Sequence, residues 1–168
     1  MRKYAGIRSL LFHSSFKKPY FALVQNKKMK NILILSIGNT CRSQMAEGYL
    51  KDFCGEKAAV YSAGFDPQGI DARAKATMQE DDVDMDSHQS NHYLEYDEIE
   101  FDFVVTTSNR AQKVLPKFSK KTVFAHQNFK DITNTKGVPQ AIANTYKTTR
   151  DEIKGFCRSF YIKHLLSD

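Results

Sequence analysis

Apolar residues fall in short runs that alternate with segments of helical spacing. The short runs predict four strands, at 31–35, 59–62, 101–106 and 122–125. Apolar residues repeat every three or four positions in between and at the end of the chain, which predicts helices at 43–53, 72–80, 109–115 and 143–166. Strands that alternate with helices imply right-handed crossovers. The predicted fold class is therefore α/β, a four-stranded parallel sheet flanked by helices.

The loop from Ser36 to Arg42 follows the first predicted strand and leads into the first predicted helix. Ligands of such sheets bind beyond the carboxyl ends of the strands. Gly38 allows a positive φ and Asn39 tolerates the left-handed region, so successive amides can converge on one tetrahedral oxyanion, helped by the helix dipole and by Arg42. A tight turn with no ligand is the alternative. The predicted oxyanion-binding residues are Ile37, Gly38, Asn39, Thr40, Cys41, Arg42 and Ser43.

Positive charge is concentrated at the start of the chain. Of the 25 Lys and Arg residues, eight lie in residues 1–30, which hold no acidic residue, so the remainder carries 17 against 19 Asp and Glu. We expect residues 1–28 to be a basic extension, disordered or foreign to the native protein, with a transit peptide as the alternative. We expect one domain at 29–168 and no nucleic-acid partner.

The composition argues against a membrane protein, a disulfide-rich protein and a metal-binding protein. No apolar run approaches the roughly 18 residues of a membrane span, which predicts a soluble protein without a membrane partner. Three widely spaced cysteines fit neither a disulfide framework nor a zinc site, and the five histidines lack metal spacing. We therefore expect a cytoplasmic protein without metal or cofactor.

Four segments resemble those of a known family. They are SIGNTCRSQMAEG at 36–48, VYSAG at 60–64, FVVTTS at 103–108 and TRDEIKGFC at 149–157. They are similar to the low-molecular-weight protein tyrosine phosphatases and, through SQMAEG, to the thioredoxin-coupled arsenate reductases of the same fold. The resemblance runs from Lys30 to the C-terminus and implies a flavodoxin-like fold that binds phosphate or arsenate.

The chain differs from the family at the positions of the nucleophile and of the redox cysteines. Ser36 occupies the position of the nucleophilic cysteine, and the two further redox cysteines of the reductases would fall at Ser108 and Leu115. Asp131 matches the general acid, although Ile132 replaces the proline that follows it in the phosphatases. Asn109 stands where the family has an aspartate, while Gly38, Asn39, Arg42 and Ser43 match the family. Cys41 does not have the spacing to Arg that a nucleophile requires.

A serine in place of a cysteine at position 36 makes ionisation of the nucleophile much less favourable. A cationic loop can lower a thiol pKa from about 8.5 to roughly 3.5–7.5, whereas a hydroxyl starts near ~15.7. Even if the loop lowers the pKa of the Ser36 hydroxyl by about 4 units, its ionisation at pH 7 costs on the order of 6 kcal/mol. We predict a protein that binds phosphate, arsenate or a phosphorylated ligand, with reductase and phosphatase activity lost or strongly impaired and no thioredoxin partner. The alternative is an engineered Cys to Ser form, or a weakly active version, of a phosphomonoester hydrolase that acts on phosphotyrosine.

Overall fold

A computed structural model describes residues 28–166. The prediction about the N-terminal extension lies outside this range except for Lys28. Four parallel strands form one sheet in the order β2-β1-β3-β4. Their bounds are Lys30–Ser36 (β1), Ala58–Gly64 (β2), Phe103–Thr106 (β3) and Val123–His126 (β4). The predicted fold class is confirmed.

Four α-helices connect and follow the strands: α1 (Arg42–Cys54), α2 (Ala72–Gln79), α3 (Asn109–Lys113) and α4 (Pro139–Tyr161). Gly55, with a φ of 50°, ends α1 as predicted. The start predicted for α4, at position 143, is wrong by four residues. Pro139 occupies the first turn, where the fixed φ of proline suits a helix and its missing N–H costs nothing. A π-helical turn, Ile162–Leu166, continues α4.

The apolar residues of β1 alternate between two cores. Ile32 and Ile34 are buried against α1 and α4 on one face, while Leu33 and Leu35 are buried on the other face beside Phe101. This double burial explains why the strand reads as an unbroken aliphatic run. Strand β4 lies at the sheet edge, where Val123 and Phe124 are exposed.

Parallel pairing brings the carboxyl ends of all four strands to one edge of the sheet. The β1–α1 loop projects from the centre of that edge, between the ends of β2 and β3. None of the helices formed by residues 28–166 is long and apolar enough to cross a membrane.

Candidate oxyanion-binding site

The β1–α1 loop adopts a tight turn around Asn39. Asn39 has a φ of 47°, so the predicted left-handed residue is confirmed at this position. Gly38, which could adopt a positive φ, does not do so. A Cβ atom at Gly38 would lie 3.4 Å from Thr40 Cγ2, an ordinary contact, so the turn geometry depends on Asn39 rather than on the glycine.

Several main-chain amides of the loop have no acceptor within residues 28–166. The N–H groups of Gly38, Thr40, Cys41, Arg42 and Ser43 donate no hydrogen bond there, whereas the N–H of Met45 donates to the Cys41 carbonyl at 2.8 Å. Helix α1 begins at Arg42 without a side-chain cap. Consecutive uncommitted amides at a helix N-terminus form an arrangement suited to a multivalent anion.

Ser36 lies at the end of β1, beneath this loop, and is 4% exposed. Its Oγ accepts a hydrogen bond from the Asn39 amide at 2.9 Å and lies 2.8 Å from Ser43 Oγ. Asn39 Nδ2 donates to Ser43 Oγ at 3.1 Å. The Asn39 amide donates to the Ser36 oxygen and the Ser43 hydroxyl is placed to do so, an environment that stabilises negative charge on the atom at this position.

A buried polar network fixes the Asn39 side chain. Asn39 Nδ2 donates to Ser62 Oγ at 2.8 Å, and Ser62 Oγ donates to Glu47 Oε2 at 2.5 Å. Gln44 Nε2 and the Asn91 amide both donate to Asn39 Oδ1 at 3.0 Å. With donors and acceptors all engaged, the network holds the loop in a single conformation.

His88 closes the inner end of this network. Its Nδ1 lies 3.0 Å from Gln44 Oε1, and because an amide oxygen can only accept, this nitrogen carries the proton. Burial lowers the pKa of His88, although the Glu47 carboxylate opposes that shift. His88 is thus a buried residue that supports the network.

Gly64, the last residue of β2, lets the second strand approach the loop closely. A Cβ atom there would lie 2.6 Å from the Ile37 carbonyl oxygen and 3.1 Å from the Asn39 amide nitrogen. The VYSAG segment therefore supports the loop with two residues, Ser62 through a hydrogen bond and Gly64 through the absence of a side chain.

Arg42 extends from α1 to the loop that follows β4. Its Nη1 donates to the Phe129 carbonyl at 2.8 Å, and its Nη2 lies 3.3 Å from Asp131 Oδ2. The Asp131 side chain is 60% exposed, so this ion pair stabilises the fold by no more than about 1 kcal/mol. An oxyanion in the loop can replace Asp131 as the partner of Arg42 at little cost.

Asp131 is ionised in this arrangement. Burial favours a raised pKa, but hydrogen bonds from the Thr133 hydroxyl and amide, together with Arg42, hold the pKa of Asp131 below its usual range. Asp131 is the predicted general acid, and it would have to gain a proton before it could donate one.

A pocket of about 420 Å³ opens in front of the loop. It brings together Ile37, Gly38, Thr40, Arg42 and Asp131 from the predicted site. The other predicted residues, Ser36, Asn39, Cys41 and Ser43, are buried. The pocket is completed by Gln68, Ser108, Asn109, Arg110, Asn128, Phe129, Lys130, Thr133 and Asn134.

The three cysteines are free and buried. Burial, reinforced by Asp71, raises the pKa of Cys41 to about 12, with Arg42 opposing the shift. Burial also raises the pKa of Cys54 to about 11 and raises that of Cys157 further. At neutral pH all three are thiols, which are poor nucleophiles.

Ser108 and Leu115, which the resemblance aligns with relay cysteines, have structural contacts in this chain. Ser108 lines the pocket and caps α3, its Oγ accepting from the Ala111 amide at 3.2 Å. Leu115 is partly buried and packs against the core that contains Leu33 and Phe101. Among residues 28–166, no group of three or more His, Cys, Asp or Glu side chains is placed to hold a metal ion.

Sequence reasoning missed the residues that support and widen the site. Gln44, Glu47 and Ser62 read as ordinary helix and strand residues, yet they are buried at 0%, 7% and 2% exposure. A polar residue in a buried strand, such as Ser62, was the available signal. The pocket residues Arg110, Asn128 and Lys130 gave no signal, because only the fold brings them to the loop.

Fold and loop together define an α/β protein in which strand β1 ends in a turn that presents uncommitted amides at the start of a helix. The family model for low molecular weight phosphotyrosine protein phosphatase matches residues 31–168. The chain belongs to this family.

The relatives point to the arsenate reductase branch. An arsenate reductase of Halalkalibacterium halodurans is 33% identical over 136 residues, which cover 80% of this chain and 96% of the relative. The structure of an arsenate reductase in the phosphate binding state is similar in fold, with a TM-score of 0.68 and 24% identity over 80% of this chain and 98% of that one. A YwlE arginine phosphatase mutant with a phosphorylated active site serine has a TM-score of 0.66 and 22% identity, covering 82% of this chain and 99% of that one.

Proposed function

We propose that this protein binds phosphate or arsenate, free or as part of a phosphorylated ligand, in the β1–α1 loop, with phosphatase and reductase chemistry lost or strongly impaired. The observation that carries the proposal is the set of five uncommitted amides, with Arg42 beside them, around a serine hydroxyl. The loop keeps the donors that an oxyanion needs and lacks the sulfur that would attack it.

The bound oxyanion would sit over Ser36, at the N-terminus of α1. The amides of residues 38 and 40–43 would donate to its oxygens, and Arg42 would leave Asp131 to pair with it. The similarity to an arsenate reductase studied in the phosphate binding state supports this choice of ligand.

Turnover is impaired because a hydroxyl must ionise before it attacks phosphorus or arsenic. The cost, on the order of 6 kcal/mol at pH 7, corresponds to a rate lowered by about four orders of magnitude. Reduction of arsenate additionally requires two electrons, which a serine cannot supply. Since Ser108 and Leu115 replace the relay cysteines, we propose that thioredoxin is not a partner, and the three free cysteines favour a reducing, cytoplasmic location.

A second candidate function is a slow phosphomonoesterase in which Ser36 itself accepts the phosphoryl group. In this reaction the Oγ–P bond forms, the bond from phosphorus to the leaving oxygen breaks, and the Ser36 proton passes to the leaving group. The two hydrogen-bond donors around Oγ favour it, and the arginine phosphatase mutant shows that an active-site serine in this fold can carry a phosphoryl group. A stable mass gain of one phosphoryl group on Ser36 after incubation with an aryl phosphate would support this candidate.

The variant Ser36→Cys tests the proposal. We expect it to hydrolyse an aryl phosphate at least about 10³-fold faster than the unmodified protein, since a thiolate forms readily in this loop. We expect no arsenate-dependent, thioredoxin-coupled oxidation of NADPH. Rapid hydrolysis by the protein with Ser36 would contradict the proposal, as would a Ser36→Cys variant that stays inactive although it binds phosphate.

A further inference from the structure

The pocket in front of the loop is several times larger than one oxyanion needs. Its volume of about 420 Å³ falls in the range of small-molecule sites, whereas the loop occupies only one wall. A second wall, formed by residues from α3 and from the segment after β4, includes Asn109, Arg110, Asn128 and Lys130.

This second wall is positively charged. Arg110 and Lys130 are exposed and form no salt bridge with any residue in the range 28–166, whereas Arg42 is paired with Asp131. Within residues 28–166, the pocket lining therefore holds three cationic side chains against one carboxylate, Asp131. When a phosphoryl group is held by the loop and Arg42, Arg110 and Lys130 share the single Asp131 carboxylate, which leaves an excess of one positive charge on this wall.

The amide side chains of the same wall also present donors. Asn109 Oδ1 lies 3.0 Å from His126 Nε2, and Thr106 Oγ1 lies 2.7 Å from His126 Nδ1. A ring that accepts the Thr106 proton at Nδ1 donates from Nε2, so the Asn109 oxygen is engaged and its amide nitrogen remains a donor. Asn128 Oδ1 accepts a hydrogen bond from the main-chain N–H of Asn109 at 3.0 Å, which leaves the side-chain nitrogen of Asn128 as a donor.

The part of the chain that the structure describes gives the pocket one aromatic lining residue. This residue, Phe129, is 3% exposed and packs edge-on against Phe156. Tyr93, Tyr96 and Phe101 line a separate cavity of about 300 Å³. Among these described residues, a phenyl ring would find no aromatic wall to stack against.

We propose that the pocket takes a small phosphorylated molecule with a second anionic group, a carboxylate or another phosphate, held by Arg110, Lys130 and the amides of Asn109 and Asn128. This inference rests on the proposed oxyanion binding at the loop. The loop binds the phosphoryl group, and the second wall binds the second anionic group of the same molecule. The ligand is a small molecule because the pocket volume suits one.

The test compares two small phosphate monoesters by calorimetric titration of the full chain. In 2-phosphoglycolate a carboxylate stands where ethyl phosphate has a methyl group. We expect 2-phosphoglycolate to bind about 3- to 10-fold more tightly, since exposed ion pairs contribute modestly, and we expect this preference to shrink as salt is added. Phenyl phosphate should bind no better than ethyl phosphate.

Two variants separate the second wall from general surface charge. Arg110→Gln combined with Lys130→Gln should reduce the preference to less than about twofold. Lys113→Gln, on the same helix α3 but outside the pocket, should leave the preference unchanged. Equal affinity for the two esters, or a preference for phenyl phosphate, would overturn this inference while leaving oxyanion binding intact. Failure of every ester and of inorganic phosphate to bind would overturn both.

Discussion

The hydroxyl oxygens of Ser36 and Ser43 lie 2.8 Å apart, and the Asn39 amide nitrogen lies 2.9 Å from the Ser36 oxygen. The Asn39 amide donates to the atom at position 36, and the Ser43 hydroxyl is placed to donate as well, so both would stabilise an anion there. They add little to a hydroxyl that stays protonated, but they would strongly favour a thiolate. The environment is suited to sulfur, although oxygen occupies it.

Thiol reactivity offers the first prediction. We expect the unmodified protein to show no fast-reacting thiol toward an alkylating reagent at neutral pH, because Cys41, Cys54 and Cys157 are buried with raised pKa values. Ser36→Cys should add one fast-reacting thiol, which phosphate protects. Rapid alkylation of Cys41 in the folded, unmodified chain would contradict this account of the loop.

A pair of glycine substitutions tests the contact between β2 and the loop. Gly64→Ala should destabilise the protein by about 1–3 kcal/mol, because the new Cβ would lie 2.6 Å from a backbone oxygen. Gly155→Ala, at a helical position in α4, should stabilise it by about 0.5–1 kcal/mol, because apart from its own helix no atom of residues 28–166 lies within 4 Å of the new Cβ. Urea unfolding measures both changes. A Gly64→Ala variant as stable as the parent would show that the loop does not need this close approach.

The hydrogen bonds of Asp81 predict that the folded state loses stability at acid pH. Its Oδ2 accepts hydrogen bonds from Lys154 Nζ and from Tyr49 Oη, each at 2.7 Å, and these partners hold the pKa of Asp81 below its ordinary value of 3.8. A carboxyl group with a lowered pKa in the folded state contributes stability above the unfolded pKa and loses it as the pH falls toward the folded value.

We therefore expect Asp81→Asn to cost about 1–2 kcal/mol at pH 7, with the difference from the parent shrinking below about pH 4. Denaturant unfolding across this pH range provides the measurement. Asp52→Asn, at an exposed α1 position without a salt bridge to any residue between 28 and 166, serves as the control and should change stability little. A difference that persists unchanged at pH 3 would rule out the ion pair as its source.

The sequence predicted the sheet and the loop because both depend on local patterns. The aliphatic run of β1 and the helical spacing after Arg42 are visible in the chain, and Asn39 carries its left-handed preference with it. Gly38, beside it, is free to adopt a positive φ but does not, so the presence of glycine alone does not reveal the backbone conformation. The start of α4 was placed too late, since Val138 and Pro139 read as loop residues although proline suits a first helical turn.

The rest of the site depends on contacts between distant segments. Gln44 is anchored to Gln89, and Arg42 to Phe129, across 45 and 87 residues of sequence. No local pattern reports such contacts. The donor character of Asn109 likewise depends on His126, which the fold brings to it from the neighbouring strand.

Calorimetric titration of inorganic phosphate into the full chain tests the central claim most directly. We predict one phosphate bound per chain, an affinity lowered about 10- to 100-fold by Arg42→Ala, and no change in the control Arg158→Ala on the exposed side of α4. Absence of phosphate binding to the unmodified protein, or equal binding by Arg42→Ala, would contradict the account.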